Sequence, residues 1–594
     1  MCGFVGILER GTREDVAGRL RRALDSLSRR GPDSEAALIE EVGAWRAALG
    51  HRRLKIIDLD ERASQPYRRG DVVVLLNGEI YNYVEIREEL LMEGATFVTQ
   101  SDTEVAAAAY ERWGSACVRR FDGMFALVIL DHQRGRLTLA RDPFGEKPLY
   151  VAAAEGLIAF GSTAESLRLL LGERSLDIDP RWVAAYLQLG FAPAPLSVWK
   201  GIEKLSAGEV REIDLQTGQE TTWEDAAKAW LDEPIGGGGF DIMEFEALLI
   251  RSIERRLRAD VPLGILLSGG IDSAYLTALI GSHLSGRLTA VTIHDRLDST
   301  EEIDRAAKVC GRFGVEHQIL RYPSKPLHEL IAASLPSMDE PIGDPAYPVL
   351  VELFSQVPRD IRVVLTGDGA DELFLSYTNY RRLLRRGHGA YGMLARMILP
   401  ATRRLSPMIG ALGVRLARRM VIESSLPVAH RLDMLAALGG PAGMYQSEFP
   451  IARADDRNEV ALWRYSLELE LPEYLLVKAD RASMHHSFES RTPYLNRELF
   501  QYLVGRDPET LALGGKSHIT QRLNSLIGED FGFTKRGFFA SGQETLARGA
   551  IWHPRMSDLC GSAVIQAASD PRRTDATSYY RLHVLNEWLN RTCA

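Results

Sequence analysis

The second residue of the chain is a cysteine followed by glycine, within MCGFVGI. If Met1 is removed, Cys2 carries both a thiol and a free α-amine. That amine has an ordinary pKa of roughly 7.7–8.0, so it can take the proton from its own nucleophile, directly or through water. Taken alone, such a cysteine reads more readily as a small apolar core residue, since buried cysteines are common. A second candidate is Ser268-Gly269-Gly270-Ile271-Asp272-Ser273, which follows an apolar run and opens a helical stretch. Glycines there let the backbone approach phosphate oxygens, and the helix N-terminus favours negative charge. No GxxxxGK[ST] accompanies it, so it is not a kinase-like P-loop. A third segment, Thr366-Gly367-Asp368-Gly369-Ala370-Asp371-Glu372, ends another apolar run. Carboxylates beside a phosphate loop suit Mg²⁺, which takes carboxylate and phosphate oxygens. Each of these glycine-rich turns also has an ordinary structural reading.

The elements that must position these residues fall into two patterns. Up to about residue 210 the chain reads as β-rich with short helices. Val72 to Leu76 and Met124 to Leu130 are short apolar runs bounded by polar residues, as buried strands are. Glu85 to Glu93 and Asp102 to Trp113 have helical spacing. Asn77-Gly78 between them is a strong hairpin-turn signal. Pro234 to Gly239 (PIGGGG) reads as a flexible linker. Beyond it, Phe245 to Arg258 is helical, Val261 to Leu267 is a strand leading into SGGIDS, and Ala274 to Leu284 is a helix. Leu288 to Ile293 and Val363 to Thr366 follow as further strands. This alternation predicts a doubly wound parallel sheet with ligands at the carboxyl ends of its strands. From about residue 375 onward the chain reads as mostly helical.

At 594 residues the chain is long enough for several domain-sized blocks. Its formal charge of −9 argues against a general nucleic-acid binder. No apolar run approaches the roughly 18–20 residues that cross a bilayer, and the N-terminus lacks the pattern of a secretory signal. Its 5 cysteines (Cys2, Cys117, Cys310, Cys560, Cys593) are dispersed without metal spacing, as expected of a cytoplasmic protein.

Four ordered motifs change the weight given to Cys2. Arg29-Arg30-Gly31-Pro32-Asp33, His51-Arg52-Arg53-Leu54, Asn77-Gly78-Glu79-Ile80-Tyr81-Asn82 and Ser101-Asp102-Thr103-Glu104, together with MCGFVGI, resemble the class II glutamine amidotransferase domain. The resemblance implies that Cys2 attacks the glutamine carboxamide, with the Asn77 side chain and the Gly78 N–H as the oxyanion hole. It further implies Arg53 on the substrate α-carboxylate, and Asp102 and Glu79 on its α-ammonium.

SGGIDS is similar to the motif of ATP pyrophosphatases, and TGDGADELF to a segment of asparagine synthetases. Lys478-Ala479-Asp480-Arg481 through Glu489-Ser490-Arg491-Thr492-Pro493-Tyr494-Leu495 resembles another signature of that family, read as shaping the pocket. The chain thus resembles the glutamine-dependent asparagine synthetases from residue 2 to about 540. The implied fold is an α+β Ntn-hydrolase-type sandwich (αββα) at 2–210, a linker at 211–239, and an α/β doubly wound ATP-pyrophosphatase domain with a helical C-terminal part at 240–594. Implied contacts are Leu266 and Ile293 with adenine, Ser268, Gly269, Gly270, Ser273, Thr366 and Gly367 with the nucleotide, and Asp272 and Asp371 with Mg²⁺. Lys516 would stabilise phosphate or adenylate charge, while Asp368, Glu340 and Asp344 would face the acceptor. The implied substrates are glutamine, ATP and a carboxylate, aspartate above all, and a homodimer is expected.

Several positions depart from that family's commonest pattern: Ala274, His294, Ser376, Asn496, Thr520 and Ala346-Tyr347-Pro348. The last of these lie beside Asp339-Glu340-Pro341-Ile342-Gly343-Asp344-Pro345, where the acceptor is expected. A different carboxylate, such as a uronic acid or a biosynthetic intermediate, is therefore the main alternative. A glutaminase-only protein or a ring-closing cyclase is disfavoured, because the motifs of both halves are intact.

Overall fold

A computed structural model describes residues 2–11, 15–172, 176–224, 237–284, 288–294, 301–321, 325–384, 458–532, 546, 551–560, 564–565 and 576–593. The N-terminal part stacks two six-stranded antiparallel sheets. One has the order β10-β8-β9-β1-β3-β2, built from Glu203–Lys204, Tyr150–Ala154, Leu157–Gly161, Gly3–Arg10, Trp45–Arg53 and Ser34–Val42. The other has the order β12-β11-β7-β6-β5-β4, built from Glu220–Glu224, Glu209–Asp214, Arg136–Arg141, Gly123–Asp131, Val72–Ile80 and Tyr67–Arg69. Alternation along each strand makes the layers. Phe4 and Leu8 of β1 meet Val73 and Leu75 of β5 between the sheets. Val5 and Ile7 face the helices Val16–Ser26 and Ala164–Leu171. Val74 and Leu76 face the helices Tyr83–Met92 and Asp102–Trp113. Both faces are covered along β1, β5 and β6, so these strands read as nearly continuous apolar runs. This is the expected αββα sandwich.

Strands β11 and β12 extend the second sheet to Glu224, through the interval expected to be linker. Of PIGGGG, residues 234–236 lie outside the described residues, and Gly238 bridges to Arg506.

The second part is a parallel sheet of order β15-β14-β13-β16-β17, built from Glu316–Arg321, Leu288–His294, Leu263–Leu266, Val363–Leu365 and Glu489–Arg491. The chain winds outward from β13 through β14 to β15, then returns to β16 on the other side of β13. The two glycine-rich loops therefore leave adjacent strand ends at the switch point of the sheet, where open α/β sheets bind ligands. The edge strand β17 is formed by the second signature motif. Apart from this strand, the elements described after Ala370 are helical, as expected, including a π-helix at Tyr465–Leu475. The C-terminal helix, Ala576–Thr592, braces the two parts. Its Arg581 donates to the carbonyls of Leu187 (2.9 Å), Gln188 (2.8 Å) and Leu189 (3.1 Å) at the end of the helix Pro180–Leu189, where carbonyls lack helical partners. Among the described residues no helix is long and apolar enough to cross a membrane.

Asn496 shows why one departure from the family pattern is tolerated. Its Oδ1 caps the helix Arg497–Val504 by accepting from Leu499 N (3.1 Å), and its Nδ2 donates to both carboxylate oxygens of Asp122 (3.1 and 3.2 Å) in the sandwich. An aspartate here would set carboxylate against carboxylate. Asn496→Asp is expected to destabilise the protein by about 1–3 kcal/mol. Adding Asp122→Asn should recover part of that loss, read as the coupling in a double-mutant cycle of urea denaturation.

Candidate functional site

The amidase half is assembled from the ends of three strands. Cys2 immediately precedes β1, with its Sγ 3.9 Å from the Leu54 carbonyl. Burial pushes the thiol up from its ordinary value, so a base must take its proton. Asn77 and Gly78 do not form a hairpin turn. They lie inside β5, paired with Ala126 and Phe125 of β6. Gly78 has φ +134°, and a Cβ there would lie 1.9 Å from the Met124 carbonyl oxygen, so only glycine fits this kink. Beside it, the Asn77 side chain is wholly buried, and neither its nitrogen nor its oxygen has a protein partner. Buried amides are rarely left this way unless a ligand completes them.

Two residues given no role from the sequence hold that strand in place. Gln65 Oε1 accepts from Leu76 N (2.6 Å), and His51 Nε2 lies 3.3 Å from Leu76 O. Burial is the main cause that pushes His51 down to about 3, so the ring is neutral and Nε2–H donates. Arg53 points its terminal nitrogens at the carbonyls of Asp60 (2.9 Å), Ile57 (3.2 Å) and Asp58 (2.5 Å), which folds the 57–60 loop around it.

Asp102 opens the helix Asp102–Trp113, whose N-cap is Ser101. Its Oδ2 accepts from Ile80 N (3.0 Å), tying the helix to the Asn77 strand. Burial raises Asp102 to about 6 against the pull of backbone N–H groups. Glu79 is raised further, by burial first and then by Asp102 and Glu489. Two buried carboxylates held above their ordinary range suit a substrate ammonium, which would favour their charged forms.

The nucleotide half lies at the ends of β13, β14 and β16. Ser268 and Ser273 pair through their hydroxyls (3.2 Å), Gly269 is left-handed (φ +68°), and Gly270 caps the helix Ile271–His283. A Cβ on Gly367 would lie 3.2 Å from Ser273 N, so the two loops are in contact. Leu266 and Ile293 sit near the ends of β13 and β14. Thr366 donates through Oγ1 to Asp368 (2.9 Å), and burial raises the Asp368 carboxyl. Lys516 joins the loops, with Nζ 2.8 Å from Asp272 Oδ2 and 2.5 Å from Asp371 Oδ1. Those carboxylates converge on one cation, and they would hold Mg²⁺ with phosphate oxygens completing its shell, as few-ligand magnesium sites do. Among the described residues no cluster of three or more His, Cys, Asp or Glu is arranged around a metal.

The acceptor residues separate. Asp344 stays near the nucleotide loops, bound to Lys478 (2.7 Å), and that contact holds its carboxyl below the usual range despite burial. Glu340 faces the sandwich instead. It accepts from Val198 N (2.7 Å) and Tyr150 OH (2.8 Å), with Lys204 and Arg481 each at 3.4 Å. Lys478, read only as part of a motif, carries a charge felt by Asp344, Asp368 and Glu372. Of the departures, Ser376 touches Asp371 through its hydroxyl, and Thr520 donates to the Lys516 carbonyl (2.7 Å). Tyr347 is buried with its hydroxyl on Ser337 (2.5 Å), and Ala274 is core. The side chain of His294 lies outside the described residues.

The two halves meet at one guanidinium. Arg491 Nη2 lies 3.5 Å from Glu79 Oε1, and the Arg491 carbonyl accepts from Thr366 N (2.9 Å). A glutamine amidotransferase domain model matches residues 1–224, and an asparagine synthase model matches residues 244–522. A Mycobacterium bovis protein named for asparagine synthetase (glutamine-hydrolyzing) is 32% identical over 533 residues, covering 82% of this chain and 78% of that protein. The chain belongs to the glutamine-hydrolysing asparagine synthetase family. Bacillus subtilis asparagine synthetase (glutamine-hydrolyzing) 1 is 28% identical, covering 86% of this chain and 82% of its own. A Penicillium rubens amidase is 25% identical, covering 84% of this chain and 79% of its own.

The Asp102 shift sets a pH dependence for this family member. Its raised value means that ionising Asp102 costs stability: the contribution present at acid pH is lost as pH rises through about 6. If the ionised form receives the substrate ammonium, kcat/KM for glutamine should fall about tenfold per pH unit below that point. Asp102→Asn should lower kcat/KM and remove that limb from the pH profile.

Proposed function

We propose that Cys2 hydrolyses glutamine to glutamate and ammonia, and that the ammonia aminates a carboxylate activated by ATP in the same chain. The Cys2 thiolate, its proton taken by the α-amine of a chain without Met1, adds to the glutamine carboxamide carbon. Asn77 Nδ2 and Gly78 N–H receive the oxyanion, a contact worth about 3–4 kcal/mol per donor. Collapse expels ammonia and leaves a thioester, which water hydrolyses. Arg53 positions the substrate carboxylate, and Asp102 with Glu79 its ammonium. At the other site an acceptor carboxylate oxygen attacks the α-phosphorus of ATP and pyrophosphate leaves. Lys516 neutralises the developing phosphate charge, while Ser268 to Ser273, Thr366 and Gly367 seat the phosphates. Asp272 and Asp371 would hold Mg²⁺, which would supply charge neutralisation for the polyphosphate. Ammonia then adds to the acyl carbon, loses a proton, and AMP departs.

The observation that carries this reading is the direct link between the halves, from Glu79 through Arg491 to Thr366. An independent hydrolase and an independent adenylating domain would have no need of a fully buried cation between their substrate loops.

For the acceptor we favour aspartate, giving asparagine. Asp344, Asp368 and Glu372 all bear on Lys478, and burial raises Asp368 and brings Glu372 to about 8, so an acceptor bearing an ammonium would gain by drawing these carboxyl groups into their charged forms. Incubation with glutamine, ATP, Mg²⁺ and aspartate should yield asparagine and pyrophosphate. A product only with a uronic acid or another carboxylate would replace aspartate and leave the rest standing. The unbridged cysteines, buried at Cys2, Cys117, Cys310 and Cys560, suit the cytoplasm.

Cys2→Ala should abolish glutamine-driven synthesis while added ammonium still supports it; loss of both activities would break the division of labour. Lys516→Met should reduce ammonium-driven synthesis by about 10²–10³-fold and leave glutamine hydrolysis within a few-fold of the unaltered protein.

A further inference from the structure

The seam between the two parts opens into a cleft of about 1010 Å³, solvent mouth included, that contains neither Cys2 nor the nucleotide loops. Its walls come from five places: Arg29 and Arg30 after the helix Val16–Ser26, Glu165 and Arg168 of the helix Ala164–Leu171, residues Leu335 to Asp339 ahead of the acceptor loop, the stretch from Arg481 to His485, and the end of the C-terminal helix at Arg591. Arg29, Arg30, Arg168, Arg481 and Arg591 line it, against only the carboxylates of Glu165 and Asp339. Three of these arginines are neutralised: Arg30 by Asp480 (2.8 Å), Arg168 by Glu165 (2.8 Å) and Arg481 by Asp339 (2.5 Å). Arg29 instead lies on an imidazole, with Nη1 2.6 Å from His485 Nε2. Among the described residues no carboxylate comes within 4.0 Å of Arg29 or Arg591.

Both guanidiniums bear on the same ring, since burial and then the charges of Arg29, His486 and Arg591 push His485 down. The imidazole is therefore a neutral acceptor that steers Arg29 without cancelling its charge. Ser487 Oγ fixes the Arg29 backbone by donating to its carbonyl (2.6 Å). Two cations held toward one opening without a counter-charge are an electrostatic vacancy for an anion, and guanidinium forks match tetrahedral oxyanions in geometry.

We propose that this cleft binds a small oxyanion of two or more negative charges, of the phosphate class. Its position makes it an effector site. Arg30, in its wall, donates through Nε to the Cys2 carbonyl (3.2 Å), and its floor runs directly into Asp339 and Glu340 of the interface.

The test is calorimetric titration of the full chain, at fixed ionic strength, with inorganic phosphate and separately with glycerol phosphate. Saturable binding is expected, weakened at least tenfold in Arg29→Ala/Arg591→Ala and unchanged in Arg21→Ala, an exposed arginine on the same helix but outside the cleft. Glycerol phosphate binding as tightly as phosphate would assign a metabolite's phosphoryl group, and phosphate binding alone would assign the free ion. No saturable binding, equal weakening in Arg21→Ala, or binding that survives in the double variant and so belongs to the nucleotide loop would each overturn the proposal.

Discussion

The structure depends on a cation that water does not reach. Arg491 has no exposed surface, yet it donates to Glu489 (2.7 Å) and to the carbonyls of Arg256 (2.7 Å) and Arg258 (2.8 Å), and it faces Glu79 at 3.5 Å. Removing one partner of such a buried pair costs roughly 3–5 kcal/mol, because the other charge is stranded. Each of its contacts therefore constrains the rest. β17 must lie beside β16, the end of the helix Ile242–Arg256 must arrive carbonyl-first, and the sandwich must dock with Glu79 in register. The residue that holds the fold together also touches the loops that would bind glutamine and nucleotide.

The remaining interface repeats this logic. Asp480 takes Arg30 at 2.8 Å and Lys147 at 3.7 Å, Glu473 takes Arg141 at 2.9 Å, and Lys204 stands 3.4 Å from both Glu340 and Glu473. A seam of matched buried charges fixes one docking geometry far more sharply than apolar surfaces would, since a shift of a few ångströms leaves ions unpaired. The π-helix contributes by its irregularity. It aims Glu470 at Tyr380 on the nucleotide side and Glu473 at Arg141 on the sandwich side, three residues apart on one short segment. π-bulges tend to occur where function requires side chains that a regular helix would misplace.

What the sequence made legible was local. Cysteine beside glycine, SGGIDS and TGDGADE announce chemistry by composition, and Val72 to Leu76 or Asp102 to Trp113 announce elements by period. What it hid was set by partners distant in the chain. Asn77-Gly78 reads as a turn until β6 is known to run beside it, with the Met124 carbonyl filling the place of a Cβ. Glu340 reads as an acceptor ligand until Val198, Tyr150 and Lys204 arrive from the other part of the chain. Strands such as Glu209–Asp214 and Glu220–Glu224 carry too many charges to show a buried pattern, being held by edge pairing to β7 and to each other. Gln65 lacks any signal and His51 shows only as part of a motif, because their task is to hold the backbone of a residue more than ten positions away.

Lys516 raises a question of charge balance that bears on the order of binding. Its ammonium sits between Asp272 and Asp371, leaving one net negative charge at the mouth of the phosphate loop. Burial alone would push the lysine down, but the two carboxylates outweigh it, so it stays charged. A polyphosphate approaching this arrangement by itself meets repulsion from the carboxylates that only a single ammonium offsets. A polyphosphate that arrives with a divalent cation would bring the missing charge with it, leaving the Lys516 ammonium available to the phosphate oxygens. Three charges within a few ångströms of one another would thus favour the metal complex over bare nucleotide.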